Sequence, residues 1–176
     1  AAIRHVLLPH EPFSSMSAGD LDRIARASKV RYFAPGEVIL APASERPSHC
    51  FFVRQGVVRG ERPNASGDPT ALWELDAGDM FPLGALVAQR GVTSVYRSLE
   101  DTFVLAMPVA VFDQLIATSS PFQDFCTRRL AHLLDISRAR FQAEYASAVT
   151  EQRGLATPLG SLIRNEPLTV VPATPL

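Results

Sequence analysis

The sequence has few cysteines, no basic excess and no long hydrophobic run, and each shortage argues against a class of protein. The two cysteines, Cys50 and Cys126, lie in apolar surroundings without a CxxC pair. We therefore expect buried thiols in a reducing compartment rather than a disulfide framework or a redox site. With 17 basic against 18 acidic residues, the chain lacks the imbalance typical of a nucleic-acid surface. No apolar run reaches the roughly 18 residues of a membrane span and no signal peptide is recognisable, which predicts a soluble, cytoplasmic protein without a membrane partner.

The residue patterns of catalysis and metal binding are also missing. The four histidines, His5, His10, His49 and His132, are single and scattered. A metal-dependent barrel of the cupin type needs a His-x-His pair with further ligands. No Ser/His/Asp set, phosphate-binding loop or pair of catalytic carboxylates is recognisable. We predict a non-catalytic chain with no cofactor and no metal site.

Short β-rich runs alternate with turn residues between positions 29 and 107, at a spacing of roughly ten residues. This pattern is typical of a small antiparallel barrel or jelly roll. Ser17 is placed to cap a helix before the strands, and Pro108 to begin another that runs to Thr118. We predict a mainly β fold with flanking helices: a double-stranded β-helix (jelly roll or β-roll) with an N-terminal helix and a long C-terminal helix. Gly56 is predicted to close a hairpin within it.

The stretch 75–101 joins a strand end, a tight turn, a short buried helical turn and a second strand at 92–99. Gly78 in the turn can take a positive φ without a Cβ penalty. Residues 80–87 are small and apolar, and too few for an independent helix. Backbone N–H groups of such a turn would hold a small anion if they faced a barrel interior. The alternative is that the apolar side chains only plug the barrel; in either case, we expect any ligand to bind here.

A long helix is predicted over 122–152, where apolar residues recur at spacings of three and four. Such a stripe begins as core packing and continues as a helix–helix seam, since a small barrel cannot cover so long an apolar face. We expect a parallel homodimer through this helix. The stripe consists of Phe122, Cys126, Leu130, Leu133, Leu134, Ser137, Phe141, Tyr145 and Ala148.

The order of these features resembles the cyclic-nucleotide-binding domain family, over residues 17 to about 152. The matching segments are 32–39, 51–58 and 75–81, whose glycines fall at the family's β-roll turns. The resemblance implies a regulatory or sensor domain of a signalling protein. It also implies a possible ligand in the β-roll, a cyclic nucleotide such as cyclic AMP or another nucleotide.

The chain departs from the family at both positions whose side chains bind the nucleotide. Where the family has Phe-Gly-Glu, with Glu on the ribose hydroxyl, this chain has Phe81-Pro82-Leu83; where it has Pro-Arg-Ala/Ser, with Arg on the phosphate, this chain has Gly91-Val92-Thr93. We therefore expect weak or altered nucleotide binding. The alternative is a degenerate β-roll that acts only in dimerisation and coupling. The ligand-site residues that we predict are Phe81, Leu83, Gly84, Ala85, Leu86, Arg90, Val92, Thr93, Ser94 and Arg97.

The run 80–86 also resembles a bacterial subfamily in which this domain precedes a pair of CBS domains and a nucleotidyltransferase-like region. The tail is consistent with this, since 157–163 and 167–170 resemble the start of a CBS motif. The resemblance implies a β-roll domain with its dimerisation helix over 1–152, and a linker with a truncated CBS-like start over 153–176. A DNA-binding helix-turn-helix is not expected after the long helix.

Overall fold

Short helices lead into the strands. The computed structural model describes residues 2–63 and 69–155, beginning with α1 (Ala2–Leu7), a 3-10 turn (Phe13–Ser15) and α2 (Ala18–Ala27). As predicted, Ser17 caps α2, and its Oγ accepts a hydrogen bond of 3.1 Å from the Asp20 backbone N–H.

The described strands form two antiparallel sheets that face each other. Sheet A has the order β1-β8-β3-β6 and sheet B the order β2-β7-β4-β5. This confirms the mainly β fold of the β-roll type with flanking helices. The strands are β1 (Lys29–Phe33), β2 (Val38–Leu40), β3 (His49–Gln55), β4 (Val58–Pro63), β5 (Pro69–Leu75), β6 (Met80–Phe81), β7 (Val95–Ser98) and β8 (Thr102–Pro108).

The turn at Gly56 does not close a hairpin, so that prediction is wrong. Gly56 has a φ of 91°, and a Cβ there would lie 2.7 Å from the Asp101 carbonyl oxygen. The turn therefore requires glycine, but β3 pairs with β6 and β8, whereas β4 pairs with β5 and β7. Gly56 carries the chain from sheet A to sheet B. The predicted strand 92–99 is also shorter, because only Val95–Ser98 pairs.

Two apolar clusters occupy the two faces of sheet A. β3 shows the division, because Cys50 and Phe52 face the helices while Phe51 and Val53 face sheet B. We call the first the helix-side cluster; it includes Leu7, Phe13, Leu21, Ile24, Cys50, Phe52, Leu83, Leu86, Leu105, Phe112, Leu115, Phe122 and Cys126. We call the second the roll interior; it includes Phe33, Phe51, Val53, Val58, Leu75, Phe81, Ala85, Val92, Tyr96, Val104 and Ala106.

Three further helices follow in the described part of the chain: α3 (Leu83–Val87), α4 (Val109–Thr118) and α5 (Ser120–Leu155). Both cysteines are buried and free, as predicted. Within the ranges that the structure covers, no helix combines the length and the apolar character needed to cross a membrane.

The chain divides into two compact units, Ala1–His132 and Leu133–Leu176. The first contains both sheets and both clusters. In the second, the described residues continue α5, where Leu133 is 36% and Leu134 is 70% exposed. Residues 156–176 lie outside the described part, so the predicted linker and CBS-like start over 153–176 stay a prediction.

Candidate ligand site in the β-roll

The turn before β6 is anchored on two sides. Gly78, at a φ of 103°, donates its N–H to the Val53 carbonyl at 2.9 Å, and the Val53 N–H donates back to the Asp79 carbonyl at 2.9 Å. The Asp79 carboxylate accepts from the Asp76 N–H at 3.0 Å and pairs with the Arg129 guanidinium of α5. The turn that leads to the predicted site is thus fixed to both β3 and α5.

The predicted site residues of α3 and of the segment after it face two different apolar clusters. Leu83 and Leu86 are 2% and 0% exposed and belong to the helix-side cluster, whereas Ala85 and Val92 belong to the roll interior. Gly84 faces α5, where a Cβ would lie 3.9 Å from Leu130 Cδ2. The structure therefore does not bring Leu83 and Val92 into one cavity, and a glutamate at 83 would place its carboxylate among helix-side apolar groups.

The segment after α3 is covered by the loop 41–48. The Ala43 N–H donates to the Val92 carbonyl at 3.0 Å. A Cβ on Gly91 would collide with the Ala43 carbonyl oxygen and lie 2.7 Å from that of Ser44. Of the remaining predicted residues here, Ser94 is buried and Thr93 is exposed. Val92, the position that the resemblance matches to the family's arginine, is therefore buried beneath a neighbouring loop.

Arg46 fastens this loop to α3 and α4. Its guanidinium donates to both Asp113 carboxylate oxygens, at 2.6 and 2.8 Å, and to the Leu86 carbonyl at 2.8 Å. The hydrogen bond from Arg46 lowers the pKa of Asp113, and the same bond raises that of Arg46. Sequence reasoning missed Arg46, because a loop arginine gives no signal for a partner 67 residues away.

The pH dependence of this pair has a definite sign. Because the folded pKa of Asp113 is lowered, its stabilising effect is fully present above the unfolded carboxyl pKa, about 4, and is lost as pH falls through the folded value. We expect the melting temperature of the wild type to exceed that of Asp113→Asn at neutral pH, with the difference shrinking below about pH 4. Thermal unfolding of both proteins across the acidic range measures this. If the difference in melting temperature stayed constant until the Asp113 carboxyl was fully protonated, the Arg46–Asp113 pair would not be its cause.

A row of rings crosses the roll interior from sheet A to sheet B. Gly60 leaves space for these rings. It pairs with Trp73 of β5 and with Tyr96 of β7, and a Cβ at Gly60 would lie 2.5 Å from Trp73 Cζ2. The row therefore fills much of the space between the sheets. It runs His49, Phe51, Phe81, Tyr96, Trp73, with successive ring-centroid distances of 6.2, 5.3, 4.8 and 6.1 Å.

The two predicted arginines differ in position. Arg97 lies on the outward face of β7 and donates to the Gly36 carbonyl at 2.7 Å, while its neighbours Tyr96 and Ser98 are buried. Arg90 is exposed, and its guanidinium donates to the Gly91 carbonyl at 3.3 Å. Burial raises the pKa of Tyr96 to about 12, and the charges of Arg90 and Arg62 act in the opposite direction.

Two surface cavities of the first unit lie away from these residues. The larger, of about 280 Å³, lies beside the start of α5, and its lining includes Glu11, Ser15 and Arg128. The smaller, of about 80 Å³, lies between α1 and the helix-facing side of sheet A. Neither is lined by a predicted site residue. Among the described residues, no group of three or more His, Cys, Asp or Glu side chains is arranged to hold a metal ion.

The family is now defined by sequence as well as by fold. Residues 30–119, just over half of the chain, match the family model described as cyclic nucleotide-binding domain, and the chain belongs to this family. The matched range includes all the predicted ligand-site residues and both sheets except Lys29, the first residue of β1. A search of curated proteins found no match.

Solved structures share the fold at low sequence identity. The catabolite activator protein of Thermus thermophilus is 19% identical with a TM-score of 0.62, over 73% of this chain and 60% of that one. The regulatory domain of Toxoplasma gondii PKA, crystallised with cAMP, is 17% identical with a TM-score of 0.65, over 74% and 49%. The regulatory subunit of a cAMP-independent protein kinase A from Trypanosoma brucei is 16% identical with a TM-score of 0.64, over 73% and 47%. This chain thus spans between 47% and 60% of the length of each of these proteins.

Proposed function

We propose that this chain is a non-catalytic regulatory domain whose β-roll binds cyclic AMP weakly or not at all. The observation that carries this is Val92, which stands at the family's phosphate-binding arginine position and is only 5% exposed within the roll interior. Loss of a charge-assisted contact to phosphate costs on the order of a few kcal/mol. This corresponds to roughly a hundredfold in affinity.

Part of a ligand site is nevertheless present. The first-turn N–H groups of α3, at Gly84 and Ala85, have no partner within the helix, which is a general property of helix starts. Ala85 and Val92 are buried in the roll interior together with Phe51, Phe81 and Tyr96 of the ring row, and Ser94 is also buried. These groups support a site for an altered ligand at the place where the family binds cyclic nucleotides.

A second candidate function is coupling without a ligand. Three observations favour it: the ring row fills much of the roll interior, the loop 41–48 covers Gly91, and the Asp79–Arg129 pair ties the roll to α5. A panel of cyclic AMP, cyclic GMP, cyclic dinucleotides, AMP and ATP, measured by thermal shift and calorimetry, separates the two. Stabilisation by any of them favours the sensor.

Restoring one charge tests the proposed cause of weak binding. We expect Val92→Arg to bind cyclic AMP at least about tenfold more tightly than the wild type, since a charge-assisted contact contributes roughly 1.5–3 kcal/mol. Val92→Met, which is similarly apolar and uncharged, should not gain affinity. Calorimetric titration of the three proteins measures this. Equal affinities for all three would mean that position 92 does not face the ligand.

We also propose that the chain forms a parallel homodimer through residues 122–152 of α5. The exposed Leu134 is an apolar group that a second copy would cover. We expect Leu134→Asp and Phe141→Asp to be monomeric in sedimentation equilibrium. Ala139→Asp should stay dimeric, because at 100° per residue it lies about 140° around the helix from Leu134. If the wild type and Leu134→Asp had the same mass in sedimentation equilibrium, the chain would not dimerise through this helix.

The rest of the proposed context follows from the resemblance of 80–86 and of the tail. We propose that CBS and nucleotidyltransferase-like domains of the same protein receive the signal, and that this chain contacts neither DNA nor a membrane. Co-purification of the longer protein with a DNA fragment library would contradict the second part.

A further inference from the structure

We infer that residues 41–46, which we call the strap, open locally away from Gly91 and Val92, and that Arg46 makes this opening depend on the position of α4. Such a device couples access to the roll interior to the helices outside it. The inference goes beyond the proposed function, because it concerns the folded chain whether or not the β-roll takes a ligand.

The strap buries little surface of its own. Residues 41–45 are all exposed. A hydrogen bond of 3.0 Å from the Ala43 N–H to the Val92 carbonyl holds the backbone of the strap against the roll. At the base of the loop, Pro47 is buried, and the Ser48 carbonyl accepts from the Val109 N–H at 2.8 Å. A segment that is anchored at its base and buries so little surface can open without unfolding the rest of the domain.

The strap covers one point of the roll interior. A Cβ at Gly91 would lie 2.7 Å from the Ser44 carbonyl oxygen, so the two backbones are in close contact. Val92, the next residue, is 5% exposed and belongs to the same apolar cluster as Ala85 and Phe81. When the strap lifts, the hydrogen bond to the Val92 carbonyl breaks and the segment 91–92 meets solvent. We therefore expect the side chain at position 92 to become accessible.

Arg46 ties the strap to the helices. Its guanidinium bonds to the Asp113 carboxylate on α4 and to the Leu86 carbonyl on α3. Leu86 and Phe112, which precedes Asp113 on α4, both belong to the helix-side cluster. The groups that hold Arg46 are therefore positioned by packing on the other face of sheet A from the roll interior. A displacement of α4 stretches the bonds from Arg46 to Asp113 and frees the strap.

Two features of the Arg46 contacts limit how strongly the closed strap is favoured. The Nε of Arg46 is buried and donates to no described residue, and a buried donor without a partner destabilises the closed state. The Asp113 side chain is 46% exposed, so solvent screens its attraction to the guanidinium. Both effects oppose the gain from the three hydrogen bonds. Opening should therefore be frequent enough to measure under native conditions.

The test labels Val92→Cys with iodoacetamide in the folded chain. We expect the introduced thiol to react faster than Cys50 and Cys126, which are 1% and 2% exposed and give the background in the wild type. Adding Arg46→Ala or Asp113→Ala should each speed the reaction at least about tenfold. The two changes together should speed it no more than Arg46→Ala alone, because both remove the same bond.

A matched control separates local opening from general loss of stability. Arg59→Ala removes another ion pair, the 3.0 Å contact with Glu74 in sheet B, and should leave the labelling of Val92→Cys unchanged. Low urea concentrations should also change this labelling little, because local opening exposes little surface. Labelling of Cys50, which requires unfolding, should rise steeply with urea.

Amide hydrogen exchange tests the strap without the cysteine substitution. We expect the Ala43 amide to exchange faster than the amides of β3 in the wild type, and at least about tenfold faster again in Arg46→Ala. This measurement decides the matter if Val92→Cys does not fold.

Two outcomes would overturn the inference. One is a thiol at position 92 that reacts as slowly as Cys50, together with an Ala43 amide as protected as those of β3. The other is labelling that Arg46→Ala and Arg59→Ala speed equally, which would mean that Arg46 does not hold the strap. Neither outcome affects the proposed weak binding of cyclic AMP.

Discussion

Phe81→Ala is expected to lower the free energy of unfolding by about 3–5 kcal/mol, the usual cost of removing a buried phenylalanine. Phe81 is 2% exposed and stands in the middle of the ring row, at 5.3 Å from Phe51 and 4.8 Å from Tyr96. Its loss leaves a cavity between two sheets that are held apart by other large side chains. The cavity cannot collapse fully, so the penalty should lie toward the upper end.

Urea unfolding measures this effect, with Phe103→Ala as the matched control. Phe103 is only partly buried, and its ring contacts Tyr32 at 5.2 Å. We expect Phe103→Ala to cost clearly less than Phe81→Ala. If the two variants lost equal stability, the ring row would not be the centre of the roll interior.

Gly91→Ala is the second change with a large expected effect, a loss of about 3 kcal/mol or more, at the upper end of overpacking penalties. The new Cβ would meet backbone atoms of Ala43 and Ser44 rather than the end of a flexible side chain. The loop 41–48 must lift, which breaks the hydrogen bond from the Ala43 N–H to the Val92 carbonyl and pulls on the Arg46 contacts.

Gly84→Ala provides the control for this change. A Cβ at Gly84 meets nothing closer than Leu130 at 3.9 Å, and alanine favours a helix over glycine by up to about 1 kcal/mol. We expect Gly84→Ala to be neutral or stabilising, and only Gly91→Ala to speed amide hydrogen exchange in 41–48. Unchanged exchange in Gly91→Ala would show that the loop does not rest on this segment.

The glycine turns could be predicted because their cause is local, although a positive φ is argued from the sequence only for Gly78. Gly36, Gly56 and Gly78 have φ values of 83°, 91° and 103°, as a glycine in a short turn between β-rich runs suggests. The cap at Ser17 and the long helix were predictable for the same reason. The partner of each strand was not, because pairing depends on residues far apart in the chain. For this reason the residues around Gly56 indicate a hairpin, although β3 and β4 lie in different sheets.

The candidate site shows the same limit. The residue types at Leu83 and Val92 pointed to altered binding, but only the fold shows that they face different clusters. Alternation along β7 left the direction of Arg97 open, and the structure places it outside. Arg46 reaches Asp113 and the Leu86 carbonyl from a segment remote in sequence. No local pattern marks such residues.

Calorimetric titration of cyclic AMP into the wild-type chain tests the proposed function most directly. We expect little or no heat of binding at low micromolar ligand, because an apolar valine stands where the family places its phosphate-binding arginine. A dissociation constant of about 1 μM or tighter, roughly −8 kcal/mol, would contradict this. It would make the domain an ordinary cyclic AMP sensor with its ligand contacts elsewhere in the roll.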